Sequence, residues 1–185
     1  MPTPSTAYAT PARLFHWTMA VLLLATIPVG FLMIQEGLGR SLQNTLFIFH
    51  KNVGVLILGL AILRLGYRWA RPAPPLPTTL PAWQVRAAGA SHAALYGLMI
   101  AMPVAGYVRV VAGGFPIEVL DAAGMPPLVP ESEALAEAAK TAHHYGAYLI
   151  TALVGVHVLA ALHHGLVRRD GVISRIWPPI RPRRR

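Results

Sequence analysis

Apolar residues along this chain gather into four long blocks. Residues 14–35, 87–108 and 141–167 contain no Asp, Glu, Lys or Arg. A further block over 42–65 is interrupted only by Lys51 and closes at Arg64. About 20 helical residues at 1.5 Å each cross the hydrocarbon of a bilayer. The blocks therefore predict transmembrane helices over about 14–35, 42–65, 87–109 and 141–167. The chain, 1–185, reads as a single all-α membrane domain, an integral four-helix bundle with a basic tail over 168–185. The first block is too long for the core of a typical signal peptide. The "MIQEGLGR" after it offers no small-x-small cleavage site, so it is read as a retained span.

The polar stretches between the blocks differ in kind. "RPAPPLPTTLPAW", from Arg71, is too rich in proline to be helical throughout and predicts a stiff connection between the second and third helices. "GGFPIEVLDAAGMPPLVP" is the one sizeable connection on the opposite side. "ESEALAEAAK" after Pro130 has good helix formers with acids in its first turns, which extends the fourth helix outward by two or three turns. Pro28 and Pro103 fall inside the first and third helices and should kink them, as membrane helices tolerate.

Composition agrees with this picture. The chain is 55% hydrophobic and 12% charged, where about 25% charged is usual for soluble domains, and its mean hydropathy is +0.50. It has no cysteine, which excludes disulfides, iron–sulfur ligation and covalent C-x-x-C-H haem attachment. The net charge of +9 points to lipid and not to nucleic acid because of where the charges fall. With a cytoplasmic N-terminus, the inner side holds Arg13, Arg64, Arg68, Arg71 and Arg86, then Arg168, Arg169, Arg175, Arg181, Arg183, Arg184 and Arg185. The outer side holds Arg40, Lys51, Arg109 and Lys140. The positive-inside rule then places both termini in the cytoplasm, with the basic tail against anionic lipid.

The candidate chemistry lies in the eight histidines. The four spans carry no carboxylate, although proton relays and hard-cation sites are built on carboxylates. Imidazoles without acids, in hydrocarbon, fit haem iron held by two histidines. His143 and His157 are fourteen residues apart on one face of the fourth helix, about 21 Å along its axis. His144 is turned about 100° away from that face. The second helix enters from outside, so His50 matches His143 in depth. The first enters from the cytoplasm, so His16 matches His157. Two haems follow, on the pairs His50–His143 and His16–His157. Small residues one turn from each histidine, among them Ala20, Gly54, Gly146 and Ala161, leave room for a flat ring, though such residues are common in membrane helices anyway. His92 has no remaining partner. For His92, His163 and His164 two readings stand: solvated side chains at the cytoplasmic boundary, or a protonatable lining beside the inner haem. An imidazole can pass a proton near neutral pH. Seven residues after His157, His164 returns to nearly the same helical face about 10 Å further on.

"RLFHW", "HKNVG", "SHAALYGLMIAMPVAGYV" and the fourth-helix histidine followed fourteen residues later by "GVH" resemble the bacterial cytochrome b561 family over nearly the whole chain. The resemblance implies a diheme b-type cytochrome of the bacterial inner membrane, with two non-covalent bis-histidine haems on His16, His50, His143 and His157. It also implies electron exchange with quinone. One branch of the family oxidises superoxide at the periplasmic face and reduces ubiquinone, and its closing "HH" pair corresponds to His163–His164. Two functions are compatible with this. The chain is an oxidoreductase passing electrons from a periplasmic one-electron donor to the quinone pool, or it is the haem-carrying membrane anchor of a larger, hydrogenase-like complex. The sequence assigns no catalytic residue.

Overall fold

The computed structural model describes residues 7–178, and these form helices joined by short connections. The long helices are α1 (Thr10–Leu32), α2 (Arg40–Ala70), α3 (Ala82–Ala112) and α5 (Glu133–Leu162), with a short α4 (Glu118–Ala122) between the last two. All four long helices are apolar and long enough to cross a membrane. Only a minor share of each apolar stretch is buried inside the chain, so most of their side chains face outward, where a bilayer supplies the apolar surroundings.

Local sequence explains the ends. α1 has a proline in its first turn, where the missing N–H costs nothing. α5 starts early because the Ser132 side chain accepts from the Leu135 N–H at 3.3 Å, with Glu133 in the first turn. The Ser132 N–H also donates to the Ala112 carbonyl at 2.9 Å, which ties the C-terminal end of α3 to the start of α5.

The helices pack in sequence: α1 on α2, α2 on α3, and α3 on α5. At mid-height Met19, Ile57, Ala61, Leu95 and Met99 form the buried core. The backbones of α1 and α2, by contrast, make almost no close approach to α5. α5 is held by α3 and stands off from the other two.

The two ends of the bundle are closed differently. At one end, Lys51 donates to Glu118 Oε1 and to the Pro116 carbonyl, each at 2.7 Å, and Asn52 exchanges hydrogen bonds with Glu118 and Val119. The lysine that interrupts the second apolar block thus pins the connection carrying α4. Burial would raise the Glu118 carboxyl, but the hydrogen bonds from Lys51, from its own backbone N–H and from Asn52, with the Lys51 charge, hold it below its ordinary value.

At the other end the chain after α5 folds back. His163–Arg168 forms a π-helical turn, Arg169 ends it in the left-handed region at φ 51°, and Ile173–Arg175 makes one 3₁₀ turn. Arg13, only 1% exposed, receives this segment. Its guanidinium donates to the carbonyls of Tyr8, Ser174, Arg175 and Pro178. Trp17 donates to the Ile176 carbonyl at 3.1 Å and packs edge-on against Trp177. Arg175 is buried and donates to the Pro74 carbonyl of the proline-rich connection. This part of the basic tail is docked on the protein, whereas residues 179–185 lie outside the described range. The start of α1, the 71–81 connection and the post-α5 segment therefore share one end of the bundle.

Candidate functional site: two histidine pairs across a helix gap

The four histidines matched by depth face one another across the gap between α5 and its distant neighbours. His50 on α2 and His143 on α5 have ring centroids 6.1 Å apart, with planes at 78°. His16 on α1 and His157 on α5 are 6.2 Å apart, at 61°. A metal bonded at about 2 Å to one nitrogen of each ring requires the centroids to stand about 6 Å apart. Both pairs fit that requirement. Edge-on ring contacts fall in the same range, as the 5.7 Å between His92 and His157 shows, so what sets these four apart is that they pair α5 with α1 and with α2 at two heights. A second ring contact, Phe31–Tyr148, also spans α1 and α5.

In the His50–His143 pair both Nδ1 atoms are engaged. His50 Nδ1 lies 3.1 Å from the Thr26 carbonyl, with the Thr26 hydroxyl at 3.3 Å. His143 Nδ1 lies 3.0 Å from the Met102 carbonyl. A carbonyl only accepts, so Nδ1 carries the hydrogen in both rings and Nε2 keeps its lone pair, the arrangement typical of metal-ligating imidazoles. Each carbonyl is followed four residues later by a glycine that makes room for the same ring. A β-carbon at Gly30 would fall 2.7 Å from His50 Cε1, and one at Gly106 would fall 3.1 Å from His143 Cε1. These four positions escaped the sequence reading, which looked for small residues on the histidine's own helix. A β-carbon on Gly54, beside His50 in sequence, would meet nothing within 4 Å. The rings find their room on the facing helix, whereas Gly146, on the helix of His143, makes room for the Met102 side chain, with which a β-carbon there would collide.

The inner pair is set differently. Arg64 Nη2 lies 3.2 Å from His16 Nδ1, and a guanidinium has only donors, so Nδ1 accepts there. His92 is not left without a neighbour, as its position in sequence suggested: its ring sits 5.7 Å from that of His157. α3 crosses α5 closely enough to bring a third imidazole to the inner level. His144 is exposed and stacks edge-on with Tyr145 and Tyr148, away from both pairs.

His163 and His164 fall in the π-helical turn, where the seven-residue register of an α-helix does not carry across. His163 is exposed and His164 half-buried. His164 Nδ1 meets Asp170 Oδ2 at 2.6 Å, and Arg168 Nε reaches the same oxygen at 3.2 Å. Burial would raise Asp170, yet the hydrogen bonds from His164 and the Val172 N–H, with the charges of His164 and Arg168, lower it from its ordinary value. Six residues of regular α-helix would carry Asp170 away from His164; the π-helical turn and the left-handed Arg169 bring it back.

The profile of the prokaryotic cytochrome b561 family matches residues 7–179. Among curated proteins, the chain is 28% identical to cytochrome b561 homolog 2 of Escherichia coli (strain K12), over 91% of this chain and 90% of that one. It is 30% identical to cytochrome b561 homolog 1 of the same organism, over 88% of this chain and 92% of the relative. It is 29% identical to the probable superoxide oxidase CybB of Yersinia pestis, over 88% of this chain and 91% of the relative.

Proposed function

The chain belongs to the prokaryotic cytochrome b561 family, a group of bacterial multi-pass membrane proteins that bind b-type haem and serve in electron transfer, and from that membership we propose that it is a diheme cytochrome carrying electrons from a periplasmic one-electron donor to quinone. The observation that supports this most is the pair of 6 Å ring separations, 6.1 and 6.2 Å, at two heights across the gap between α5 and α1–α2. His50 and His143 would hold the outer haem, and His16 and His157 the inner one, and a haem at each pair would supply one-electron transfer. Thr26 and Met102 fix the outer rings through Nδ1, and Gly30 and Gly106 let those rings lie against the helices.

Superoxide is the donor suggested by the name of the Yersinia relative. Two superoxide ions, each leaving as dioxygen, give the two electrons that one quinone takes up with two protons. His164 would pass on those two protons one at a time, each replaced from water at the same end of the bundle. With Nδ1 held by Asp170, its Nε2 is the nitrogen that can exchange a proton with quinone, and the site lies at the end of the bundle that the arginine asymmetry places in the cytoplasm. His163, exposed beside it, plays the lesser part.

Purified chain with two low-spin haems, each lost singly on His→Ala at its own pair, is the expected result. His164→Ala should keep both haems and slow quinone reduction by about 10²-fold, the usual contribution of a positioned acid. A single haem in the wild type would overturn the diheme reading. Wild-type quinone reduction by His164→Ala would move the quinone elsewhere.

A further inference from the structure

Arg64 and Arg68 lie one turn apart near the end of α2, and both guanidiniums stand over the Tyr96 ring of α3, 5.2 and 5.8 Å from its centroid. Arg64 is half-buried and also reaches Met19 Sδ at 3.9 Å and His16 Nδ1 at 3.2 Å. None of these partners is a carboxylate. Among the described residues the ion pairs use Lys51, Lys140, His164 and Arg168, and no acid lies within ion-pair distance of Arg64 or Arg68. Two like charges at this spacing, withdrawn from water on an apolar helix and without a counter-charge, are costly.

The contact with His16 has a chemical consequence. Arg64 can only donate, so the hydrogen bond needs the lone pair of His16 Nδ1. A neutral imidazole that ligates a metal through Nε2 carries its hydrogen on Nδ1 and has no lone pair to offer there. Ligation by His16 Nε2 and the Arg64–His16 hydrogen bond therefore exclude each other. Loading the inner pair must send Arg64 to another acceptor. The outer pair faces no such exchange, because His50 and His143 already rest with Nδ1 on carbonyls.

We infer that Arg64, supported by Arg68 and Tyr96, is a carboxylate clamp for the inner haem. On loading, Arg64 leaves His16 and takes a propionate carboxylate of the cofactor, which a guanidinium grips with two parallel hydrogen bonds. The inference rests on the reading of His16–His157 as a haem pair. It makes the inner site, and not the outer one, depend on the cofactor's negative charge.

The test is titration of cofactor-free full-length chain with protohaem and with its dimethyl ester, whose carboxylates are blocked. The two sites are distinguished by electron paramagnetic resonance. Wild type should bind protohaem more tightly than the ester at the inner site, by about tenfold or more, as expected for a charge-assisted hydrogen bond. Arg64→Leu should abolish that preference, and Arg64→Lys should restore part of it. The outer site should fill normally in every variant, which reports that the chain is folded. An unchanged inner preference in Arg64→Leu overturns the clamp. So does loss of a bound anionic phospholipid in Arg64→Leu with the inner preference intact, since the arginine then serves a lipid phosphate. Uptake of only one protohaem by wild type overturns the diheme reading, and the clamp with it.

Discussion

Gly30 contributes no side chain, yet the position of the His50 ring depends on it. The ring is fixed from one side by the Thr26 carbonyl and has only the space of a hydrogen atom at Gly30, where a β-carbon would stand 2.7 Å from Cε1. Gly30→Ala must therefore displace a ring that has little freedom to move. We expect it to weaken the outer haem by about 10–100-fold, the usual cost of disturbing what orients a ligand, and to leave the inner haem alone. Gly54→Ala, with nothing within 4 Å of the new methyl group, should change neither. Haem-to-protein ratios of the two variants decide the matter. The four paired histidines were legible in the sequence because a fourteen-residue spacing on one helix and two opposite entry directions suffice to match depths. Gly30, Gly106, Thr26 and Met102 were not, because helical periodicity says which residues share a face and not which backbone that face will meet.

The long helices were legible too, since an uncharged run long enough to cross a bilayer has few other uses. The segment after α5 was not. Nothing in "HHGLVRRDGVISRIW" announces a π-helical turn ended by an arginine at positive φ. Nor does a row of arginines show that Arg13 and Arg175 are buried while others are exposed. That segment is held at one end by Arg13 and at the other by the Asp170–His164 and Asp170–Arg168 contacts. Its attachment has a defined pH dependence. The Asp170 carboxyl is lowered on folding, so its contribution is fully present above the ordinary value of 3.8 and is lost as the pH falls through the lowered one. Acid should therefore loosen the segment while the apolar spans stay intact. Trp177, packed on Trp17, provides the fluorescence signal. Asp170→Asn should show the loosened signal already at neutral pH, and an acid transition that survives this substitution would assign it to another group.

For the molecule as a whole, the distribution of arginine carries an expectation of orientation that can be tested. The start of α1, the proline-rich connection and the docked segment share one end, joined by Arg13 and Arg175, and that end carries most of the positive charge. A periplasm-active reporter should be silent when fused after Arg185 and active when inserted near Leu120 in α4. The opposite result would exchange the inner and outer sites.

The distance that α5 keeps from α1 and α2 also bears on the life of the protein in the cell. α5 has its main backbone packing on α3 and meets α1 and α2 through ring side chains, and whatever binds the folded state alone adds its binding free energy to stability. Cofactor-free chain is then expected to be less stable than loaded chain, and its abundance to follow haem supply. In haem-starved cells the chain should be degraded several-fold faster than in replete ones, as stability differences of a few kcal/mol commonly produce. A pulse-chase comparison that finds equal half-lives would show that α3 alone is enough to hold α5 in place.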